Sequence, residues 1–316
     1  MQNTEEKIKN DKEFKNHRLF SRILKIIIAI VFVATTLLIT FGNGIGIPSW
    51  NDIFALCGIY ADYDKISFSF INVGSADACY IKCGDSNILI DAGTGLCYDE
   101  IFYYLKRNNC THFDAIILSH PDGDHVGSMA DILDDFSADV VYMSKIPKNV
   151  PIYSEDYDDF INCAEKYNVP ITYPKISSSV KIGDVELEFI SPLQEYDSTN
   201  DNSLVVKIKY MNVSALFTGD ISKDVEQDLL DSKADLDVDI LKVAHHGSKT
   251  ASSESFLKAV TPKISVVSVA SSDIFLPDYK TMAYIDKYSE QLFRTDRDNT
   301  VVVTSDGNDL SVHTDG

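Results

Sequence analysis

Beyond residue 65, short apolar runs and helical periods alternate to the end of the chain. Ile66–Asn72, Asp77–Lys82 and Asn87–Asp91 are rich in β-formers and separated by Gly-containing turns, which predicts three strands. Tyr98–Asn108 has helical spacing, Asp114–Ser119 is an apolar run of the buried-strand type, and Val126–Phe136 reads as a helix. A strand over Val140–Met143 and a helix over Glu155–Tyr167 follow. A second set of strands is expected at Val185–Ile190, Leu204–Tyr210, Val213–Thr218, Val238–Val243 and Ile264–Val269. Helices are expected at Lys223–Leu230, Glu254–Val260 and Tyr279–Tyr288, and closing strands near Val301 and Leu310. Two sets of strands, each interleaved with helices, bury their apolar faces best as two packed sheets with helices outside.

The preceding segment has a different pattern. No charge occurs from Ile26 to Ile47, and Ile26–Phe41 is almost wholly apolar, which predicts a transmembrane anchor over residues 23–47. Lys7, Lys9, Lys12, Lys15, Arg18, Arg22 and Lys25 precede it and outnumber Glu5, Glu6, Asp11 and Glu13. By the positive-inside rule residues 1–22 form a cytoplasmic tail and the remainder is exported. No small-residue cleavage site follows Phe41, so the segment reads as an uncleaved anchor rather than a signal peptide. Gly42, Gly44, Gly46 and Pro48 end the helix as a hinge, and residues 48–65 read as a linker.

Composition is that of a globular chain, with 45% hydrophobic and 24% charged residues. The formal net charge of −20 argues against an extended basic nucleic-acid surface. A phosphate-bearing substrate would need local attraction, most simply by a metal ion. Cys57, Cys79, Cys83, Cys97, Cys110 and Cys163 match no zinc ribbon; an exported domain permits disulfides, and buried apolar packing is the plainer expectation.

The candidate chemistry lies where predicted strands end. Ser119-His120-Pro121-Asp122-Gly123-Asp124-His125 puts four potential ligands, His120, Asp122, Asp124 and His125, on one tight turn between a strand and a helix. Imidazole nitrogen with carboxylate oxygen suits zinc, manganese or iron. A helix cap would need one carboxylate and no histidine. Thr218-Gly219-Asp220 ends a second strand, and His245-His246-Gly247-Ser248 ends a third. His17, His112 and His313 have no such context.

In that order, HPDGDH, FTGD and LKVAHHGSKT resemble the metallo-β-lactamase superfamily, and are most similar to the hydrolase domain of ComEC-type DNA-uptake competence proteins. Residues 70–78, Asn87–Gly93, Asp201–Val205 and Arg294–Asp296 also fit, so the resemblance runs from Ile66 to the C-terminus. It implies an α/β fold, an αββα sandwich with a metal site at the rim between the sheets. It also implies zinc, one or two ions, with manganese as the other fitting metal. His120 and Asp122 would hold one ion, and Asp124, His125 and His246 the other, with Asp220 between them. Asp124 would also orient the attacking water, and His245 would either support a ligand or donate a proton. Adjacent strand residues point opposite ways, so His245 and His246 are expected not to ligate together. Asp77 and Asp91 either support the ligands or are plain turn residues; Ser248 and Lys249 either meet a phosphate or simply cap a helix.

Several positions depart from the superfamily pattern. Asp122 stands where a histidine is usual, no histidine occurs between His125 and His245, and Asn202 is the nearest substitute ligand. Leu276 stands where the subgroup often has histidine, and Ser128 follows Gly127 where a second glycine is common. The expected function is a membrane-anchored hydrolase of a phosphodiester, either nucleic acid or an envelope phosphoester. It would act through a metal-activated water, whose pKa near 7 removes the need for a protein nucleophile. The expected partners are that substrate and, through residues 23–47, membrane lipid. A weakened domain serving as a binding or scaffolding module is the alternative, and a lactam or thioester hydrolase is a third reading.

Overall fold

The computed structural model describes Lys25, Ile28, residues 30–36 and residues 66–314. The chain divides into two compact units, residues 1–62 and 63–316. Of the first, residues 30–36 are helical. Among the described residues no helix is long and apolar enough to cross a membrane. Most of the expected anchor, together with the tail, hinge and linker, lies outside the described residues.

Among the described residues, the second unit contains seventeen strands. The first eight are β1 Ile66–Phe70, β2 Cys79–Cys83, β3 Ser86–Ile90, β4 His112–Phe113, β5 Ala115–Leu118, β6 Ser137–Ala138, β7 Val141–Met143 and β8 Ile171–Thr172. Then come β9 Ser179–Ile182, β10 Val185–Ser191, β11 Val205–Tyr210, β12 Val213–Phe217, β13 Ile240–Lys242, β14 Ile264–Val267, β15 Gln291–Arg294, β16 Val301–Ser305 and β17 Leu310–Thr314. One sheet has the order β17-β16-β1-β2-β3-β5-β7-β8, the other β15-β14-β13-β12-β11-β10-β9, and β4 pairs with β6.

Strand alternation builds three apolar layers. Phe68 and Phe70 of β1, Ile81 of β2 and Ile88 and Ile90 of β3 meet Leu187, Val206, Ile208 and Phe217 between the two sheets. The Phe217 ring packs 5.8 Å from Phe70 and 6.5 Å from Phe68, centroid to centroid. Their neighbours on the opposite face of the first sheet, Tyr80, Leu89, Ile116 and Leu118, pack with Ile101, Leu105, Met129, Ile132 and Phe160 of the helices Tyr98–Arg107, Met129–Asp135 and Glu155–Tyr167. Leu216, Leu241 and Val267 do the same with Val225, Leu229, Phe256, Leu257 and Ile285 of Lys223–Ser232, Glu254–Val260 and Tyr279–Tyr288. The αββα architecture expected from the sequence is therefore present.

Half of each sheet is parallel: β3, β5, β7 and β8 in one, β12 to β15 in the other. Parallel strands bring their carboxyl ends to one edge, where open α/β sheets place ligands. The loops after β3, β5, β12 and β13 carry Asp91, His120–His125, Asp220 and His245–His246. One expectation needs correction, and the one for the cysteines holds. The helix expected over Val126–Phe136 is two pieces, Gly123–Val126 and Met129–Asp135, parted at Gly127–Ser128. Cys79, Cys83, Cys97, Cys110 and Cys163 are all free thiols, and four of them are buried, so packing accounts for them rather than crosslinking.

Candidate metal centre

After β5 the chain turns through Pro121 and Asp122 into the short helix Gly123–Val126. Asp122 is its N-cap residue, yet no side chain caps the helix, so neither Asp122 nor Asp124 is spent on that role. Gly127 lets this turn sit against the loop after β3. A Cβ there would lie 2.4 Å from Gly95 N and 2.5 Å from both Gly123 O and Thr94 C.

Each buried histidine is aimed by a second residue. Asp91 adopts the left-handed conformation (φ 57°) and accepts from Ser119 N and Ser119 Oγ, each at 2.7 Å, and from His125 Nδ1 at 2.9 Å. That fixes Nδ1 of His125 as donor and turns its Nε2 toward the site. Ser119 Oγ, having given its proton to Asp91, accepts from His120 Nδ1 at 3.0 Å. His246 Nδ1 donates to the Ser268 carbonyl at 3.0 Å, leaving its Nε2 free as well. Three imidazoles thus present bare Nε2 atoms to one region.

The region closes around Asp220. Its Oδ1 is 3.4 Å from His125 Nε2, and its Oδ2 is 3.8 Å from both His246 Nε2 and His245 Nε2. Asp124 Oδ2 is 3.3 Å from His246 Nε2 and 3.9 Å from His125 Nε2. One ligand atom from each of Asp124, His125, Asp220 and His246 lies within 4.8 Å of all the others. The His120 ring lies 4.1 Å from that of His125, centroid to centroid and tilted by 50°, and its Nε2 is 3.8 Å from Asp122 Oδ2. Four of the six expected ligands thus converge, and His120 and Asp122 lie beside them as a neighbouring pair. His120 Nε2, His125 Nε2, His246 Nε2 and Asp220 Oδ1 are buried with no hydrogen-bond partner. Leaving four buried polar atoms unpaired costs about 1–3 kcal/mol each, so the set fits the binding of a divalent cation.

The electrostatics agree. Burial pushes the Asp124 and Asp220 carboxyls up, but His246 and His125 outweigh it. Asp124 is held down to about 2, and Asp220 well below the carboxylate range. Burial opposes charge on His125, yet Asp220 and Asp91 raise it well above its ordinary value; His246 rises likewise through Asp220 and Asp77. Burial and the neighbouring His125 lower His120. The buried carboxylates favour protonation of His125 and His246, and a divalent ion at the same atoms would compete with those protons.

The remaining candidates fall elsewhere. His245 and His246 are not strand residues: both are left-handed (φ 51°) in a short turn after β13, so both rings reach Asp220 instead of pointing apart. His245 is the more solvent-facing, its side chain 31% exposed. Asn202 is no substitute ligand. Its amide donates to the Tyr196 and Ser198 carbonyls and accepts from Tyr196 N, which holds its own loop together. Ser248 Oγ is engaged with Thr250 Oγ1 at 2.9 Å. Lys242, which the sequence reading passed over, ends β13 with a buried ammonium 2.7 Å from Asp77 Oδ2. A lysine closing an apolar strand directly before the histidine pair was the available signal.

A family profile described as "Metallo-beta-lactamase superfamily" matches residues 71–271. "ComE operon protein 3" of Bacillus subtilis (strain 168) is 27% identical over 252 residues, covering 73% of this chain and 32% of that relative. The chain thus spans about a third of the relative's length. Among solved structures, the metallo-beta-lactamase fold protein YhfI from Bacillus subtilis superposes with a TM-score of 0.51 at 11% identity, covering 79% of this chain and all of that one. Igni18, a metallo hydrolase from Ignicoccus hospitalis, gives 0.51 at 13% identity over 75% of this chain and 98% of its own. At such identities the two structures speak to the fold alone.

Proposed function

The chain belongs to the metallo-beta-lactamase superfamily, and from that membership and the geometry of its site we propose that it is a metal-dependent hydrolase of phosphodiesters held at a membrane. The convergence of four unpartnered buried atoms, from His120, His125, His246 and Asp220, carries the reading. His120 and Asp122 would hold one ion position, Asp124, His125 and His246 the other, and Asp220 lies between them. A divalent ion there, zinc or manganese by the donor set, supplies Lewis acidity and a nucleophilic water at neutral pH.

The chain's own groups divide the remaining work. Asp124 stays ionised, so its Oδ2 orients the attacking water by accepting a hydrogen bond rather than by storing a proton. His245, exposed on the solvent side and 3.8 Å from Asp220, is placed to hand a proton from Nε2 to the leaving alkoxide. Asp91 holds the rings of His125 and, through Ser119, His120. The resemblance of the HPDGDH, FTGD and LKVAHHGSKT motifs to ComEC-type competence proteins favours a phosphodiester substrate, and the apolar stretch Ile26–Phe41 with the basic residues before it favours an anchor with the catalytic unit outside the cell.

Purified full chain should carry at least one equivalent of zinc or manganese and turn over bis(p-nitrophenyl) phosphate. Asp124→Ala and His125→Ala should each lower turnover by more than about 100-fold. Metal content under about a tenth of an equivalent would favour the binding-module alternative, and retained turnover in either variant would dismiss these ligand assignments. Protease added to intact cells should digest the catalytic unit; protection would reverse the topology.

A further inference from the structure

Lys242 and Asp77 form an ion pair in the protein interior, with side chains 5% and 7% exposed and 2.7 Å between Nζ and Oδ2. Taking an ammonium and a carboxylate out of water costs several kcal/mol each, and well-packed apolar residues often serve stability better. The pair therefore calls for a reason beyond folding. Its surroundings supply one. Asp77 Oδ1 is buried without a hydrogen-bond partner and lies 3.5 Å from His246 Nδ1, on the side of the ring away from the ligand atom. The Asp77 N–H donates to the Asp124 carbonyl at 3.0 Å, and its own carbonyl accepts from Gly93 at 2.8 Å. One residue thus touches the HPDGDH turn, the loop after β3 and the His246 ring.

Asp77, Asp91 and His125 also offer atoms within 4.8 Å of one another, a second grouping a cation could bridge. The Lys242 ammonium supplies that positive charge from within the fold. It also donates to the Val243 carbonyl at 3.0 Å, which fixes it at the end of β13. A cavity of about 10 Å³, bordered by Asp77, Asp91, Ser119 and Lys242, lies beside the pair and has room for about one water.

We propose that Lys242 is a positioning residue of the metal centre: by neutralising and clamping Asp77 it holds the His246 ring and the Asp124 backbone in the arrangement a divalent ion requires. This rests on the reading that the cluster binds such an ion. Lys207 provides the comparison. It is equally buried, but its ammonium is satisfied by the Asp235 carboxylate and the carbonyls of Asp235 and Asp237, ahead of β13 and at the opposite end of that strand from the histidine pair.

The experiment is a titration of the metal-free full chain with Mn²⁺ alone, free ion being counted by electron paramagnetic resonance. Thermal midpoints of the same metal-free samples are measured in parallel. Lys242→Met and Asp77→Asn should weaken Mn²⁺ binding about 10–100-fold, the usual cost of losing a partner behind a ligand. Lys207→Met should lower the thermal midpoint yet shift Mn²⁺ binding less than about threefold, which separates positioning from the general cost of a disturbed buried lysine. If Lys242→Met fails to fold, the isosteric Asp77→Asn decides. Wild-type affinity in a folded Lys242→Met or Asp77→Asn variant overturns the proposal, as does an equal loss in Lys207→Met. Absence of Mn²⁺ binding by the wild type overturns both this proposal and the metal reading beneath it; binding by wild type and variants alike overturns this proposal only.

Discussion

Glu226 is a fully buried carboxylate that the metal centre does not use. Its two oxygens accept from the backbone N–H groups of Ser252 and Ser253, which tie the helix Lys223–Ser232 to the start of Glu254–Val260. Burial pushes its carboxyl from 4.5 up to about 6, even though those two hydrogen bonds favour the ionised form. The unfolded chain releases this proton near pH 4.5 and the folded chain near 6. Between those values the folded state binds more protons, so stability falls as pH rises. A shift of that size corresponds to about 2 kcal/mol. Urea unfolding of chelator-treated wild type and Glu226→Gln from pH 4.5 to 7 should therefore diverge, the wild type losing about 2 kcal/mol relative to the variant across the window. Parallel curves would mean that Glu226 does not carry the penalty. Asp124 has the opposite sign: its depressed value contributes stability above pH 3.8 that is lost as pH falls toward 2.

At the scale of elements, what the sequence revealed and what it hid divide along physical lines. β5 was legible because an unbroken apolar run ending in Ser119-His120 has few other uses, β13 because an apolar run broken only by Lys242 leads to the histidine pair, and β1, β10 and β11 because alternation marks a two-faced strand. β4, β6 and β8 are two residues each, too short to carry a period, and only tertiary pairing defines them. The turn at His245–His246 was hidden for a different reason. Left-handed backbone favours glycine, so two consecutive histidines there contradict local preference, and the fold around Asp220 must hold them. The pairing of Lys242 with Asp77 is not legible either, since its partners are far apart in sequence, although the lysine itself stands out at the end of an apolar strand. Gly127 and Gly95 make the point testable. Both look like ordinary loop glycines, yet a Cβ at Gly127 would meet three backbone atoms at 2.4–2.5 Å, whereas one at Gly95 would come no nearer than 3.5 Å to anything. Backbone cannot yield as a flexible side chain can, so Gly127→Ala should cost about 3 kcal/mol. In a chain of this size that lowers the thermal midpoint by roughly 6–12 °C. Gly95→Ala should stay within about 1 kcal/mol of wild type. Equal midpoints for the two variants in differential scanning calorimetry would contradict the packing described around the HPDGDH turn.

For the whole molecule, net charge bears on which of the proposed phosphodiester substrates would reach the centre. The chain carries 48 acidic against 28 basic side chains, so its field repels polyanions at long range. Proteins that grip nucleic acid through lysine and arginine lose affinity as salt rises, because bound counterions are released on association. Here the sign should reverse. Screening shortens the reach of the repulsion from about 30 Å at 0.01 M salt to about 8 Å at 0.15 M, and a long phosphodiester gains more from this than a small one. At fixed metal concentration, kcat/KM on a single-stranded oligonucleotide should rise several-fold between about 0.01 and 0.15 M salt, while that on bis(p-nitrophenyl) phosphate, with a single charge, changes little. A fall with salt on the oligonucleotide would reveal a local basic track strong enough to overcome the net charge. For the hydrolase proposed above, the same repulsion would favour approach by a neutral or singly charged ester over a polymer, and the salt response of the two substrates measures that preference directly.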